Sequence, residues 1–186
     1  MVVQRIRNDM RSSGSTWWSS IRAALDRCTA TDDAVEIGLG PLAELLLADP
    51  ALKPEVAAVA RGDPRVATAV SITLSPEETY DLIGGLTVVE AWRRNHARTS
   101  AQSSVNAPTP GWDFWAWELF LRWTIEPTPA LWPALLHLIA QVDDSELMQV
   151  GIDHIEDLLC ERPSHYAERL IESARADPRV ARAVCI

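Results

Sequence analysis

One octapeptide occurs twice in this chain. Asp63-Pro-Arg-Val-Ala-Thr-Ala-Val70 returns as Asp177-Pro-Arg-Val-Ala-Arg-Ala-Val184, with seven of eight positions identical. Upstream, Gly38-Leu-Gly-Pro-Leu-Ala-Glu-Leu-Leu46 lines up with Gly151-Ile-Asp-His-Ile-Glu-Asp-Leu-Leu159, and Trp18 lines up with Trp132. The offsets are 114, 113 and 114 residues, so the order is kept through single-residue insertions and deletions. Three matches in one order point to an internal duplication. Each unit spans roughly fifty residues, the scale of a helical repeat.

The repeated segments carry helix-start chemistry. Asp63-Pro64 and Asp177-Pro178 place an N-cap acceptor before a proline whose missing N–H is not needed in the first turn. Gly40-Pro41 and Asp153-His154 are expected to do the same, with Asp153 and Glu156 at capping-box spacing. Apolar positions between these signals recur at helical period. Trp17 or Trp18, Ile21, Leu25 and Cys28 form one stripe; Leu42, Leu45 and Leu46 a second; Val56, Val59 and Ala60 a third. Ser75 to Glu78 is a capping box that opens a helix through Tyr80, Ile83, Leu86, Val89 and Trp92, with Gly84-Gly85 as a kink. Trp112 to Trp123 is apolar on nearly every face, so it is predicted to be buried all round or to lie under a partner. Thr128-Pro129 is expected to cap a helix carrying Trp132, Leu135, Ile139 and Val142. Strand alternation is missing. The predicted class is all-α, with antiparallel helix pairs stacked as a short α-solenoid or as two fused bundles. The Ser, Thr and Pro-rich stretch 98–111 reads as a linker between an N-terminal copy with its connecting helix (1–97) and a C-terminal copy (112–186).

The C-terminal copy resembles a small bacterial domain family of unknown function. The residues that carry the resemblance are Trp115-Ala-Trp-Glu-Leu, Pro129-Ala-Leu-Trp132, Val142-Asp-Asp144, Gly151-x-x-x-Ile-Glu-Asp-Leu-Leu159 and Ala174-Arg-Ala-Asp-Pro-Arg179. The resemblance covers about residues 112–186, with a degenerate version over 17–70. It implies a helical fold and no established activity. The first copy keeps Gly-Pro but has Ala43 where the family pattern has Glu. The second keeps Glu156-Asp157 but has Asp153-His154 in place of Gly-Pro.

Charge narrows the function. The 186 residues hold 26 acidic and 17 basic side chains, a formal net charge of −9. A nucleic-acid binder needs a basic footprint, so that class is disfavoured; a basic partner would be attracted. Met1 to Ser15 carries arginines without an apolar stretch, and no apolar run approaches the ~20 residues that span a bilayer. A cytoplasmic protein away from membranes is the expectation. Cys28, Cys160 and Cys185 lack metal or disulfide spacing and read as small apolar core residues. Arginine occurs sixteen times against one lysine, a skew read as coding bias.

No catalytic set assembles on paper. His96, His137, His154 and His165 are scattered, and there is no nucleophile elbow or dinucleotide fingerprint. No cofactor or metal is implied. Seven carboxylates fall between Gln141 and Glu161 with no Lys or Arg among them. The expected function is a non-enzymatic interaction module that binds a basic protein partner, a bacterial immunity or antitoxin-like protein being one concrete form. Its predicted contact residues are Asp143, Asp144, Asp153, Glu156 and Asp157, with Trp112 and Trp115 as aromatic anchors. The alternative is a small-molecule-binding or hydrolytic domain with a Trp-lined pocket and Glu156 and Asp157 as acid/base or ligand residues. A structural homo-oligomer is the third reading.

Overall fold

Both Asp-Pro pairs start helices. Asp63 accepts the backbone N–H of Arg65 at 3.0 Å, and Asp177 that of Arg179 at 2.8 Å. The structure, a computed structural model, describes residues 14–101 and 111–184. Its helices are α1 (Gly14–Leu25), α2 (Thr31–Ile37), α3 (Ala43–Ala48), α4 (Lys53–Ala60), α5 (Pro64–Thr73), α6 (Pro76–Ile83) and α7 (Gly85–Ala101). They continue as α8 (Phe114–Ile125), α9 (Leu131–Gln141), α10 (Asp144–Val150), α11 (Glu156–Glu161), α12 (Pro163–Ala176) and α13 (Pro178–Val184). The class is all-α. Connecting helix α7 runs to Ala101, past the expected linker start; 102–110 lie outside the described residues.

The element order of the first half returns in the second. Helices α1 to α5 correspond to α9 to α13, and between α2 and α3, as between α10 and α11, the chain passes through a five-residue π turn. These turns are Gly38–Leu42 and Gly151–Ile155. The expected N-caps at Gly40 and Asp153 are therefore absent. The backbone stays helical from 31 to 48 and from 144 to 161, so no helix starts there. In the first turn the widening is explained by Pro41, which cannot donate and whose ring would strike the carbonyl one turn back in a regular α-helix. Gly38 lets the turn touch α5: a Cβ there would lie 2.6 Å from the Ala69 carbonyl oxygen. The Thr73 hydroxyl bonds the Gly38 and Ala69 carbonyls, both at 2.8 Å.

Helix α8 is the centre. From Phe114 to Thr124 none of its residues is exposed, and Trp115, Leu119, Phe120 and Trp123 are fully buried. It packs against α5, α6, α7, α11 and the second π turn, so both halves share one apolar cluster. Gly84, at φ 97°, ends α6 outright rather than kinking one long helix. Restarting at Gly85 shifts the helical phase, which leaves Leu86 exposed while Val88, Val89 and Trp92 face the core. Gly85 itself lies under the Tyr80 hydroxyl and His137 Nδ1, which are 2.6 Å apart. Thr128 does not cap α9; its hydroxyl accepts the Trp123 indole N–H at 3.0 Å. Cys28 is half-buried and Cys160 is exposed rather than in the core; Cys185 lies outside the described residues.

Two glycines in one turn separate contact from propensity. Gly38→Ala is expected to destabilise the protein by about 1–3 kcal/mol, because backbone must move. Gly40→Ala meets nothing within 4 Å and is expected to stabilise by up to about 1 kcal/mol. Urea unfolding of the two variants measures both; equal effects would contradict the close approach.

Candidate functional site

The acidic run divides in space. Asp143 and Glu146 form a reciprocal capping box at the start of α10, and Arg93 of α7 bonds both Glu146 oxygens through its Nε at 3.1 and 2.9 Å. Glu146 is only 7% exposed, so this pair ties α7 to α10. Asp144 pairs with Arg179 and Arg182. Asp143 also lies 3.8 Å from Arg93, and Ser145 and two backbone N–H groups hold its carboxyl below the usual range. Asp143 and Asp144 are thus engaged by cations within the fold, although their side chains stay 57% and 65% exposed. Asp153, Glu156, Asp157 and Glu161 are different: among the described residues no cation pairs with them. Burial raises the Asp157 carboxyl above its ordinary range, and the charges of Asp153, Glu156 and Glu161 raise it further.

Trp115 is 2% exposed and cannot meet a partner from inside the core. Trp112 is half-buried and packed against the same cluster, its carbonyl accepting from Thr68 at 3.3 Å. Only Trp112 of the two therefore keeps a partly exposed ring. Of the other tryptophans, half-buried Trp117 lines a surface, and Trp92, 1% exposed, lies just beneath it.

They face a cleft of about 420 Å³ between α7, α8 and the second π turn. Helix α7 contributes Trp92, Asn95, His96 and Thr99, a spacing that puts all four on one face. Helix α8 contributes Phe114 and Trp117, and the α10 side contributes Gln149 and Asp153, one turn apart. Two aromatic stacks form the walls. Trp92 and His96 lie 5.4 Å apart at an interplanar angle of 12°; Phe114 and Trp117 lie 5.2 Å apart at 28°.

Two adjacent residues of the π turn hold one indole from each wall. The Trp117 N–H donates to Asp153 Oδ2 at 3.0 Å, and the Trp92 N–H donates to His154 Nε2 at 2.9 Å. Gln149 Nε2 bonds the other Asp153 oxygen at 2.6 Å. These acceptors take the third and fourth positions of their π turn, which Gly40-Pro41 take in the first π turn; neither of those has a side chain that can accept. Because His154 Nε2 accepts, the neutral ring carries its proton on Nδ1, and that atom is buried without a partner. Burial pushes His154 down to about 3, so it stays neutral.

Asp153 is occupied as an acceptor, His154 is buried and neutral, and Glu156 and Asp157 are not lining residues. Among the described residues no three His, Cys, Asp or Glu side chains group to hold a metal. What remains is a slot bordered by the partly exposed rings of His96, Phe114 and Trp117 and by a fixed carboxylate, a combination that suits a cationic or planar group.

His154 sets a pH dependence. Its folded-state pKa lies below the unfolded value near 6.5, so below that value the unfolded chain binds a proton that the native one refuses. Stability is therefore full above pH 6.5 and falls as the pH drops towards 3, at a slope on the order of 1 kcal/mol per pH unit. Chemical denaturation between pH 7 and 5 should show this slope, and His154→Gln should flatten it; identical slopes would contradict a buried neutral ring.

No family model matches the chain, and no curated protein or solved structure compared with it proves similar.

Proposed function

We propose that this chain is a non-enzymatic interaction module that grips a basic segment of a partner protein, with an arginine or lysine side chain entering the aromatic cleft against Asp153. The observation that carries the proposal is the Asp153 carboxylate, fixed by Trp117 and Gln149 between two stacked aromatic walls. A guanidinium in that slot would meet π faces and still find free lone pairs on the carboxylate. Glu156, Asp157 and Glu161, all on α11, extend the negative potential, and the net charge of −9 steers a basic partner towards it. The repeated element order supports an internal duplication, with one copy over about 17–70 and the other within 112–186. The second copy would have gained the site by replacing Gly-Pro with Asp-His. An immunity or antitoxin-like role and membership of the bacterial family resembled by 112–186 belong to the same proposal.

A second reading rests on the size of the cleft. About 420 Å³ falls within the range of small-molecule sites, so a small organic cation would fit the same chemistry. Hydrolysis gains no support, because the carboxylate that lines the cleft is already held by two donors.

A tetra-arginine peptide titrated against intrinsic tryptophan fluorescence tests the proposal. Saturable binding is expected, weakening as salt rises, with Asp153→Asn lowering affinity about tenfold and Glu156→Lys with Asp157→Lys mainly slowing association. Equal affinity for a tetra-glutamine peptide, or no effect of Asp153→Asn, would sink it.

A further inference from the structure

The chain carries a second cleft of opposite character, far from the first in sequence. It has a volume of about 360 Å³ and lies between the α8–α9 connection and the start of α12, with Thr128, Arg162, His165, Tyr166 and Arg169 around it. In a chain with a net charge of −9 this concentration of basic groups is unusual. Among the described residues, Arg162, His165 and Arg169 make no ion pair or side-chain hydrogen bond. The arginines of the rest of the fold mostly do: Arg61, Arg65, Arg93, Arg94, Arg122 and Arg179 are all committed to carbonyls or carboxylates.

The residue that makes this a built site is Tyr166. It is 3% exposed and stacks on Trp132 at 6.1 Å, so its ring is fixed. Yet its hydroxyl has no partner among the described residues, and it borders the cleft. Arg162 and Arg169 line the same cleft as this ring. The two arginines are seven residues apart, about 10 Å along a helix, within reach of one ligand from both ends. Two further donors point the same way. The Thr128 hydroxyl already accepts from Trp123, which leaves its own proton free to donate. Helix α12 starts with no acidic residue in its first turn and no side-chain cap, so its dipole is uncompensated.

We infer that this cleft binds a phosphate-type oxyanion, free or as a monoester, held by Arg162 and Arg169 and hydrogen-bonded by the Tyr166 hydroxyl. Several donors around one cleft fit an anion with several equivalent oxygens better than a single carboxylate. The site is independent of the aromatic cleft and of the proposal made for it.

Isothermal titration at low ionic strength, with inorganic phosphate and with phenyl phosphate as separate probes, tests the inference. Saturable binding of at least one probe is expected, with a Kd below about 1 mM. Tighter binding of phenyl phosphate would assign a monoester, and tighter inorganic phosphate the free ion. The exposed pair Arg162→Gln and Arg169→Gln should weaken binding at least about tenfold. Tyr166→Phe keeps the buried ring and its stack, so it should keep the melting temperature while weakening binding roughly threefold or more. No saturable heat from either probe up to about 10 mM, or unchanged affinity in either variant, would overturn it.

Discussion

Short helices leave a large share of their carbonyls without an intrahelical partner, and in this fold arginines supply the missing donors. Arg61 donates to Ile83 and Leu82 at the end of α6, at 3.0 and 2.6 Å. Arg65 donates to the Asp26 carbonyl just past α1, at 2.8 Å. Arg122 of the central helix reaches Ser71 and Leu74 at the end of α5. Arg179 reaches Ile139 and Val142 at the end of α9. Arg65 and Arg179 are the same residue of the repeated octapeptide, and they close α1 and α9 respectively. A guanidinium can bond two carbonyls, or a carbonyl and a carboxylate, in one plane, which an ammonium cannot match. The excess of arginine over lysine thus has a structural use beyond coding bias.

With the helix ends held in this way, the π turns can carry different side chains on the same backbone. Gly38–Leu42 serves packing: Gly38 admits the backbone of α5 and Pro41 accounts for the widened turn. Gly151–Ile155 keeps the turn without a proline and uses the two positions as acceptors. Asp153 and His154 point to different walls, and each fixes one indole. The neutrality of His154 matters here, because a protonated ring could not accept the Trp92 N–H. The burial that holds its pKa at about 3 therefore also keeps one wall of the cleft in place.

Much of the fold was legible in the sequence. The stripes of Ile21 and Leu25, of Leu42, Leu45 and Leu46, and of Leu135 and Ile139 are buried as their period demands. The helix is covered from Phe114 to Thr124, as its apolar faces demand, and only Ile125 at its end is exposed. Misplaced features have physical reasons. Gly40-Pro41 looks like a helix start because proline is usually excluded from helix interiors, and a π turn is the exception. Leu86 fits the apolar stripe only if the helix is continuous, and Gly84 breaks it. The run from Asp143 to Glu146 looks unpaired because its partners, Arg93, Arg179 and Arg182, are distant in sequence. The cleft was less legible, since it joins faces from three separated helices. One signal for it was present: the replacement of Gly-Pro by Asp-His, which adds two acceptors to a position that otherwise needs none. The residues those acceptors serve, Trp92 and Trp117, could not be picked from eight tryptophans without the fold.

The most direct test of the account is the indole N–H region of a nitrogen-15 NMR spectrum, recorded with and without the arginine peptide. Phenylalanine substitution, one tryptophan at a time, would assign the eight indole signals. The account predicts that the Trp92 and Trp117 signals are protected from solvent exchange and shift most on binding, while those of Trp17, Trp18 and Trp115 stay in place. Shifts confined to other tryptophans, or Trp92 and Trp117 signals that exchange freely and ignore the peptide, would contradict it.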